Sequence, residues 1–374
     1  MLIEEYAARF EEEPGYLNFA SRGPIGRAVQ EEIAGFAATL ARARFGSFAA
    51  LPQQSARLGA AVEALTGLPA EGVVWQPSTS QGLMQVLFGL RGTVAASPDE
   101  FPSIGFAIQR AADARGLVTP RWITPDHGRV TPGTLRGQLD GVDAVVVSLV
   151  DYRTGFVADL EGIRQVIGDR LLIVDANQGF GVVEAPYALA DVVAAAGAKW
   201  PRAGNGTAML ALGPRALECV EPVWSGWNAS ELPEEEMPMG EVLPPASGAR
   251  AFQISGADPM AQARFAVALE EMAEVGVAAI QEAILERATR IIDLADEYAI
   301  PVVSPRAVGE RAGIVVVRPE PEQLSALAAV LHNHGVSATV RAGEVRLAPH
   351  ASTDDETLAM LQAAFLSFAT TVAN

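Results

Sequence analysis

Lys199 is the only lysine in a chain of 374 residues that carries 27 basic side chains. A surface solvated by arginine has no need of lysine. The one that remains is a candidate for chemistry a guanidinium cannot do, because an amine can shed its proton and act as a nucleophile. Codon usage could produce the same scarcity, so the neighbours must decide. Lys199 stands in AGAKWPRAGNGT, between small residues and a Gly-rich turn that leads to an apolar segment. Earlier in the chain, in RLLIVDANQGFG, Asp175 ends an apolar run and is followed at once by small and amide residues. Ligands of open α/β sheets sit at the carboxyl ends of strands, which is where this acid falls. Taken singly, Asp175 also suits a helix cap or turn, and Lys199 a solvated loop.

The pair is more specific than either member. Pyridoxal phosphate (PLP) chemistry needs a primary amine to hold the cofactor's aldehyde as an imine. It also needs a carboxylate at the pyridine nitrogen, to keep it protonated so that the ring accepts electrons. Lys199 and Asp175 are the right types for these roles. Gln178, three residues after the acid, is a candidate donor to the phenolic oxygen of the cofactor, and equally a turn residue facing water.

Positioning such a pair requires a sheet. From about residue 60 to 215 helical stretches alternate with short apolar runs, VVW (73–75), TVAAS (93–97), DAVVVSLV (143–150), RLLIVDA (170–176) and TAMLAL (207–212). This alternation predicts an α/β fold with a mostly parallel sheet covered by helices on both faces. Residues 228–250, rich in Pro and Glu and without period, read as a surface loop. A helical stretch from Asp258-Pro259 to about 298, broken near Gly276, leads into a smaller α+β pattern. That pattern has strands at 313–319 and around VSATVRA and EVRLAP, with helices at 321–335 and 353–369. We therefore expect an N-terminal segment, 1–20, packed with the small domain. A large cofactor-binding domain, 21–257, would follow, and then an interdomain helix and small C-terminal domain, 258–374.

Composition narrows the partners. A formal charge of −18 disfavours nucleic acid and anionic membranes, which need a basic face, and points to small molecules. The acidic start MLIEEYAARFEEEPGY is unlike a signal peptide, and no apolar run approaches the length of a membrane span, so a cytoplasmic protein is expected. The single cysteine, Cys219, reads as a buried structural thiol on a short helix, PRALECVEPV. His127, His332, His334 and His350 are scattered and imply no metal site.

The segment VDANQGFGVVEAPYALADVVAAAGAKWPRAGNGTAML resembles the cofactor segment of the class V aminotransferase family of fold-type I PLP enzymes. That family includes cysteine desulfurases, kynureninases, several transaminases and isopenicillin epimerase-like proteins. Other segments match in order, from about residue 16 to 355. YLNFASRGPIG (16–26) resembles the family's opening stretch, and WQPSTSQGLMQVL (75–87) its phosphate-binding turn, which implies Thr79 and Ser80 as phosphate contacts. DEFPS (99–103) resembles the loop whose aromatic residue stacks on the pyridine ring, here Phe101. VSLVDYRTG (147–155) resembles the strand and turn under the cofactor, and VRLAPHAS (345–352) implies Arg346 as the clamp on the substrate carboxylate. SGW (225–227) and FQISGADP (252–259) are similar to kynureninase-like members. They imply that Trp227, Ser255 and Gly256 reach the phosphate of a neighbouring subunit in a homodimer.

The resemblance implies a seven-stranded large-domain sheet, PLP, and an amino acid or related amine as substrate. Departures touch the substrate pocket. Ala198 replaces a larger residue before the lysine, and Ala351 and Thr353 stand where many members carry Asn or Tyr. Fold and cofactor do not choose which bond breaks. Desulfuration is disfavoured, because the region before Arg346, HGVSATVRAGEV, has no cysteine to accept sulfur. An aminotransferase is the leading expectation by breadth of the family. The alternatives are a C–S or C–C lyase or an epimerase; behind these stand a non-catalytic relative that keeps the fold and a nucleotide-binding α/β protein, the latter opposed by the absence of G-x-G-x-x-G and G-x-x-x-x-G-K-[ST] patterns.

Overall fold

The computed structural model describes residues 1–232, 236–237 and 239–372. Seven strands form the larger sheet: β1 (Val73–Gln76), β2 (Gly92–Ala96), β3 (Val118–Trp122), β4 (Ala144–Ser148), β5 (Leu171–Asp175), β6 (Val192–Ala196) and β7 (Ala208–Leu212). Their spatial order is β1-β7-β6-β5-β4-β2-β3, and β7 alone runs against the rest. The mostly parallel sheet expected from the sequence is present. Its central strands read as unbroken apolar runs because both faces are covered.

Alternate residues feed two cores. Val145, Val147, Leu172 and Val174 face a cluster built with Phe265, Leu269 and Met272 of helix Pro259–Val275 and Leu58 and Val62 of helix Gln53–Thr66. Ala144, Val146, Leu171 and Ile173 face the other, with Leu83 and Val86 of helix Thr79–Gly89 and Ile104 and Ile108 of helix Pro102–Arg115. Two strands escaped the sequence reading. β6 is VVAAA, apolar but poor in β-branched residues at its end, and β3 is VTPRW, with only Val118 buried. Pro120 is tolerated in β3 because the strand lies at the sheet edge.

The smaller sheet has the order β8-β10-β9, all antiparallel, from β8 (Val315–Val317), β9 (Thr339–Arg341) and β10 (Glu344–Leu347). Helices Val277–Glu297, Leu324–Asn333 and Asp355–Val372 pack with it around Val317, Leu327, Val345, Leu361 and Phe365. The helical break falls at Gly276, whose φ of 89° suits glycine. The N-terminal segment ties the two sheets together. Tyr16 and Asn18 bridge to Ser337 and Ala348 beside the smaller sheet, whereas Phe19 joins the core of the larger one.

Cys219 departs from expectation, because it is exposed. The helix Pro214–Cys219 buries Ala216, and Val220 follows on the same face, which leaves Glu218 and Cys219 turned outward. Of the expected loop at 228–250, residues 233–235 and 238 lie outside the described residues; Ser230 and Pro245 pair across it. No helix among the described residues is long and apolar enough to cross a membrane.

Candidate active site

β5 delivers Asp175 to the carboxyl edge of the sheet, between Ser148 of β4 and Ala194 of β6. The acid is 4% exposed, and burial pushes its carboxyl above the usual range; the Asn177 N–H, 3.0 Å from Oδ1, and the charge of Lys199 pull the other way. Its second carboxylate oxygen takes no hydrogen bond among the described residues.

β6 ends at Ala196, and the turn that follows carries Lys199 back to the same edge. The turn is closed by Ala203 N–H to Gly197 O at 2.7 Å and Arg202 N–H to Lys199 O at 3.1 Å. Burial pushes the Lys199 amine down to about 8, against the pull of Asp175, and the nearby Arg346 charge adds to the depression. Near pH 8 a substantial fraction of this amine is therefore neutral and nucleophilic.

Three further elements converge here. Ser78 caps helix Thr79–Gly89 by accepting from Gln81 N–H at 3.2 Å, so the hydroxyls of Thr79 and Ser80 are not spent on capping. Thr79 Oγ1 instead donates to Asn177 Oδ1 at 3.2 Å, and Ser80 Oγ meets Ser103 Oγ at 2.6 Å. The first-turn amides of this helix form an end suited to an anion. Phe101 precedes helix Pro102–Arg115, and the Lys199 amine lies 5.5 Å from its ring centre. The Tyr152 ring meets Phe101 edge-on at 5.2 Å.

Arg346 comes from β10. It donates to Tyr152 O at 3.0 Å and Ser21 Oγ at 2.7 Å, leaves Nε without a partner, and pairs with no carboxylate among the described residues. Burial, helped by Arg341, lowers it to about 10, so it stays charged at neutral pH. A cavity of about 120 Å³ opens beside it and shares Tyr152 and Arg153 with a larger one of about 570 Å³ walled by Phe106 and Trp122.

Gln178 is buried and largely engaged by the protein. Its Nε2 donates to Ala20 O at 2.9 Å and its Oε1 accepts from Trp200 Nε1 at 2.9 Å, so the expected cofactor contact would have to use the remaining N–H. Trp227, Ser255 and Gly256 are exposed, and no hydrogen bond or ring contact joins them to Lys199, Asp175, Thr79 or Arg346 within the described chain. Gly226 N–H to Gln253 O at 2.9 Å holds their two segments together.

The sequence reading missed Asn177, Tyr152, Ser21 and Glu100. Glu100 accepts from Ser148 N–H at 3.2 Å, and burial pushes its carboxyl up to about 7, with Ser148 opposing and the charges of Asp151 and Asp175 assisting. An acid directly before Phe101 was the available signal. No three His, Cys, Asp or Glu side chains cluster as metal ligands among the described residues.

Solved structures share this architecture. The apo cysteine desulfurase from Thermococcus onnurineus NA1 superposes with a TM-score of 0.82 at 18% identity, over 93% of this chain and 93% of that one. A variant of C-DES with glycine covalently linked to its PLP cofactor gives 0.85 at 20%, over 94% and 96%. The cystine C–S lyase C-DES in complex with its product cysteine persulfide gives 0.84 at 20%, over 94% and 97%. The chain has the cysteine desulfurase fold. No family model and no curated relative matches the sequence.

Proposed function

We propose that this chain is a PLP-dependent lyase that cleaves a carbon–sulfur bond of an amino acid by β-elimination and works as a homodimer. One observation carries the reading: a buried, deprotonable amine, Lys199, shares the edge of the larger sheet with a buried carboxylate, Asp175, and a carboxylate-free guanidinium, Arg346, reaches toward them from the smaller sheet. The residues fit PLP. Asp175 keeps an oxygen for the pyridine nitrogen, Lys199 supplies the amine for the aldehyde, and the amides at Thr79 and Ser80 suit the phosphate. Phe101 lies beside the amine to cover the ring.

When bound, PLP supplies an electron sink for charge developing at the substrate's α-carbon. Arg346 would take the substrate carboxylate in a bidentate grip and so fix which α-bond faces the ring. Lys199 would remove the α-proton, the Cβ–S bond would break with its electron pair leaving on sulfur, and hydrolysis of the remaining fragment would give pyruvate and ammonia. Trp227, Ser255 and Gly256 would act on the phosphate of a second copy. The exposed Trp227 and Ile254, on segments joined by Gly226 N–H to Gln253 O, would be covered there.

Elimination is favoured over desulfuration by the position of the sulfur. β7 runs against β6, pairing Leu212 with Val192 at the edge opposite Asp175, so helix Pro214–Cys219 begins on the far side of the sheet. Cys219 cannot receive sulfur at Lys199 from there. Elimination is favoured over transamination by the likeness to a C–S lyase.

Incubation with PLP and cystine, following pyruvate, ammonia and persulfide together, tests this reading. All three in step are expected. Keto acid formed only with an added keto acceptor, without ammonia, would establish transamination instead. A protein that takes up no PLP would end the proposal.

A further inference from the structure

Arg202 is fully buried, and its backbone is left-handed, with a φ of 58°. Such a conformation is rare for a side-chain-bearing residue and persists where surroundings over-determine it. Here they do. Arg202 Nε donates to Pro24 O at 2.6 Å, and Nη1 to Glu12 Oε1 at 3.1 Å and Ser352 Oγ at 2.8 Å; Nη2 pairs with Glu12 Oε2, and Ser352 Oγ also donates to Glu12. The guanidinium lies 3.7 Å from the centre of the Phe10 ring and 5.1 Å from that of Phe19.

This cluster grips the turn that holds Lys199 from both sides. Arg202 N–H closes the turn on Lys199 O, and Gly23 N–H binds Ala198 O at 2.9 Å. The approach is so close that a Cβ on Gly23 would sit 2.0 Å from Lys199 O. Residues 20–24 thus form a strap, fastened at Pro24 by Arg202 and at Ala20 by Gln178. An acid in the N-terminal segment, Glu12, secures the arginine that secures the strap.

We propose that Arg202, anchored by Glu12, is a positioning residue that keeps the Lys199 amine in its buried place at the sheet edge. The inference rests on the reading of Lys199 as the reactive amine, and adds that the N-terminal segment maintains the burial that lowers that amine. Charge in the cluster is confined to the pair. Burial pushes Glu12 up, but its bonds from Arg202 and Ser352 outweigh this and hold the carboxyl below its usual range. His350, 5.0 Å from the Phe19 ring, is kept neutral by burial and by the charges of Arg202 and Arg287. Burial raises Tyr6 and Tyr16, and the nearby Glu271 adds to Tyr6 alone, so both phenols stay neutral.

The single lysine makes the test direct. Grown with lysine carrying carbon-13 at Cε, the full chain, freed of carbonyl compounds with hydroxylamine, gives one lysine resonance, whose shift follows the ionisation of Lys199 with no cofactor present. Glu12→Gln should admit water to the turn and move the titration midpoint upward by about one unit, toward an ordinary lysine. Ser352→Ala, which removes the hydroxyl's bonds with Arg202, Glu12 and His350 Nδ1 and leaves the ion pair, should move it less and in the same direction. A purely structural role would lower the melting temperature and leave the midpoint where it is in the folded protein. An unmoved midpoint in whichever of the two variants folds overturns the proposal. Because no PLP is used, the result stands apart from whether the chain proves to be a PLP enzyme.

Discussion

Lys199→Ala is expected to remain folded, to bind no PLP covalently, and to lose turnover by a factor on the order of 10⁴ or more, the scale of removing a reacting group outright. The fold should tolerate the change, because alanine removes the cost of burying the amine, and Asp175, whose carboxyl burial already pushes above its usual range, can take up a proton once the Lys199 charge is gone. Borohydride treatment followed by intact-mass measurement checks the covalent part: wild type should gain one phosphopyridoxyl group and the variant none. In the wild type, capture should rise with pH through about 8, because only the neutral amine attacks an aldehyde, and fall as acid protonates it. Labelling of the variant to the wild-type extent would show that Lys199 is not the attachment point.

Arg346→Gln should retain the cofactor and lose the amino acid. Charge-assisted hydrogen bonds contribute roughly 1.5–3 kcal/mol each, so replacing a bidentate guanidinium should lower kcat/KM about 100-fold or more for substrates with an α-carboxylate. An amine of the same skeleton without the carboxylate should react with both proteins about equally. Arg346 is well placed for this contrast, since its partners are neutral oxygens, Tyr152 O and Ser21 Oγ, and no acid competes for its charge. An unchanged kcat/KM on the carboxylate substrate would remove Arg346 from the site.

The sequence exposed those parts of the architecture that burial writes into local pattern. AVVVS and LLIVD are apolar throughout because helices cover both faces of β4 and β5. Where burial is one-sided or the side chains are small, as in β3 and β6, that writing fades. Asp175 and Lys199 could be singled out because their chemistry is unusual for their surroundings. Tyr152 and Ser21 could not, since each is ordinary until the smaller sheet brings Arg346 against the larger one, and Asn177 is ordinary until the fold sets Thr79 against it. Arg202 was hidden for the opposite reason: among so many arginines, nothing local marks the one whose partner, Glu12, lies 190 residues away in the sequence. Cys219 was misread because its helix is too short for apolar neighbours in sequence to mean a shared buried face.

The solitary lysine also gives the protein one natural reporter of its own breathing. An endoprotease specific for lysine has a single internal bond to cut, Lys199–Trp200. That bond is shielded: the indole of Trp200 is fully buried, and the Lys199 carbonyl is held by Arg202. Scission into two fragments therefore measures how often the reactive turn opens, undiluted by fraying anywhere else in the chain.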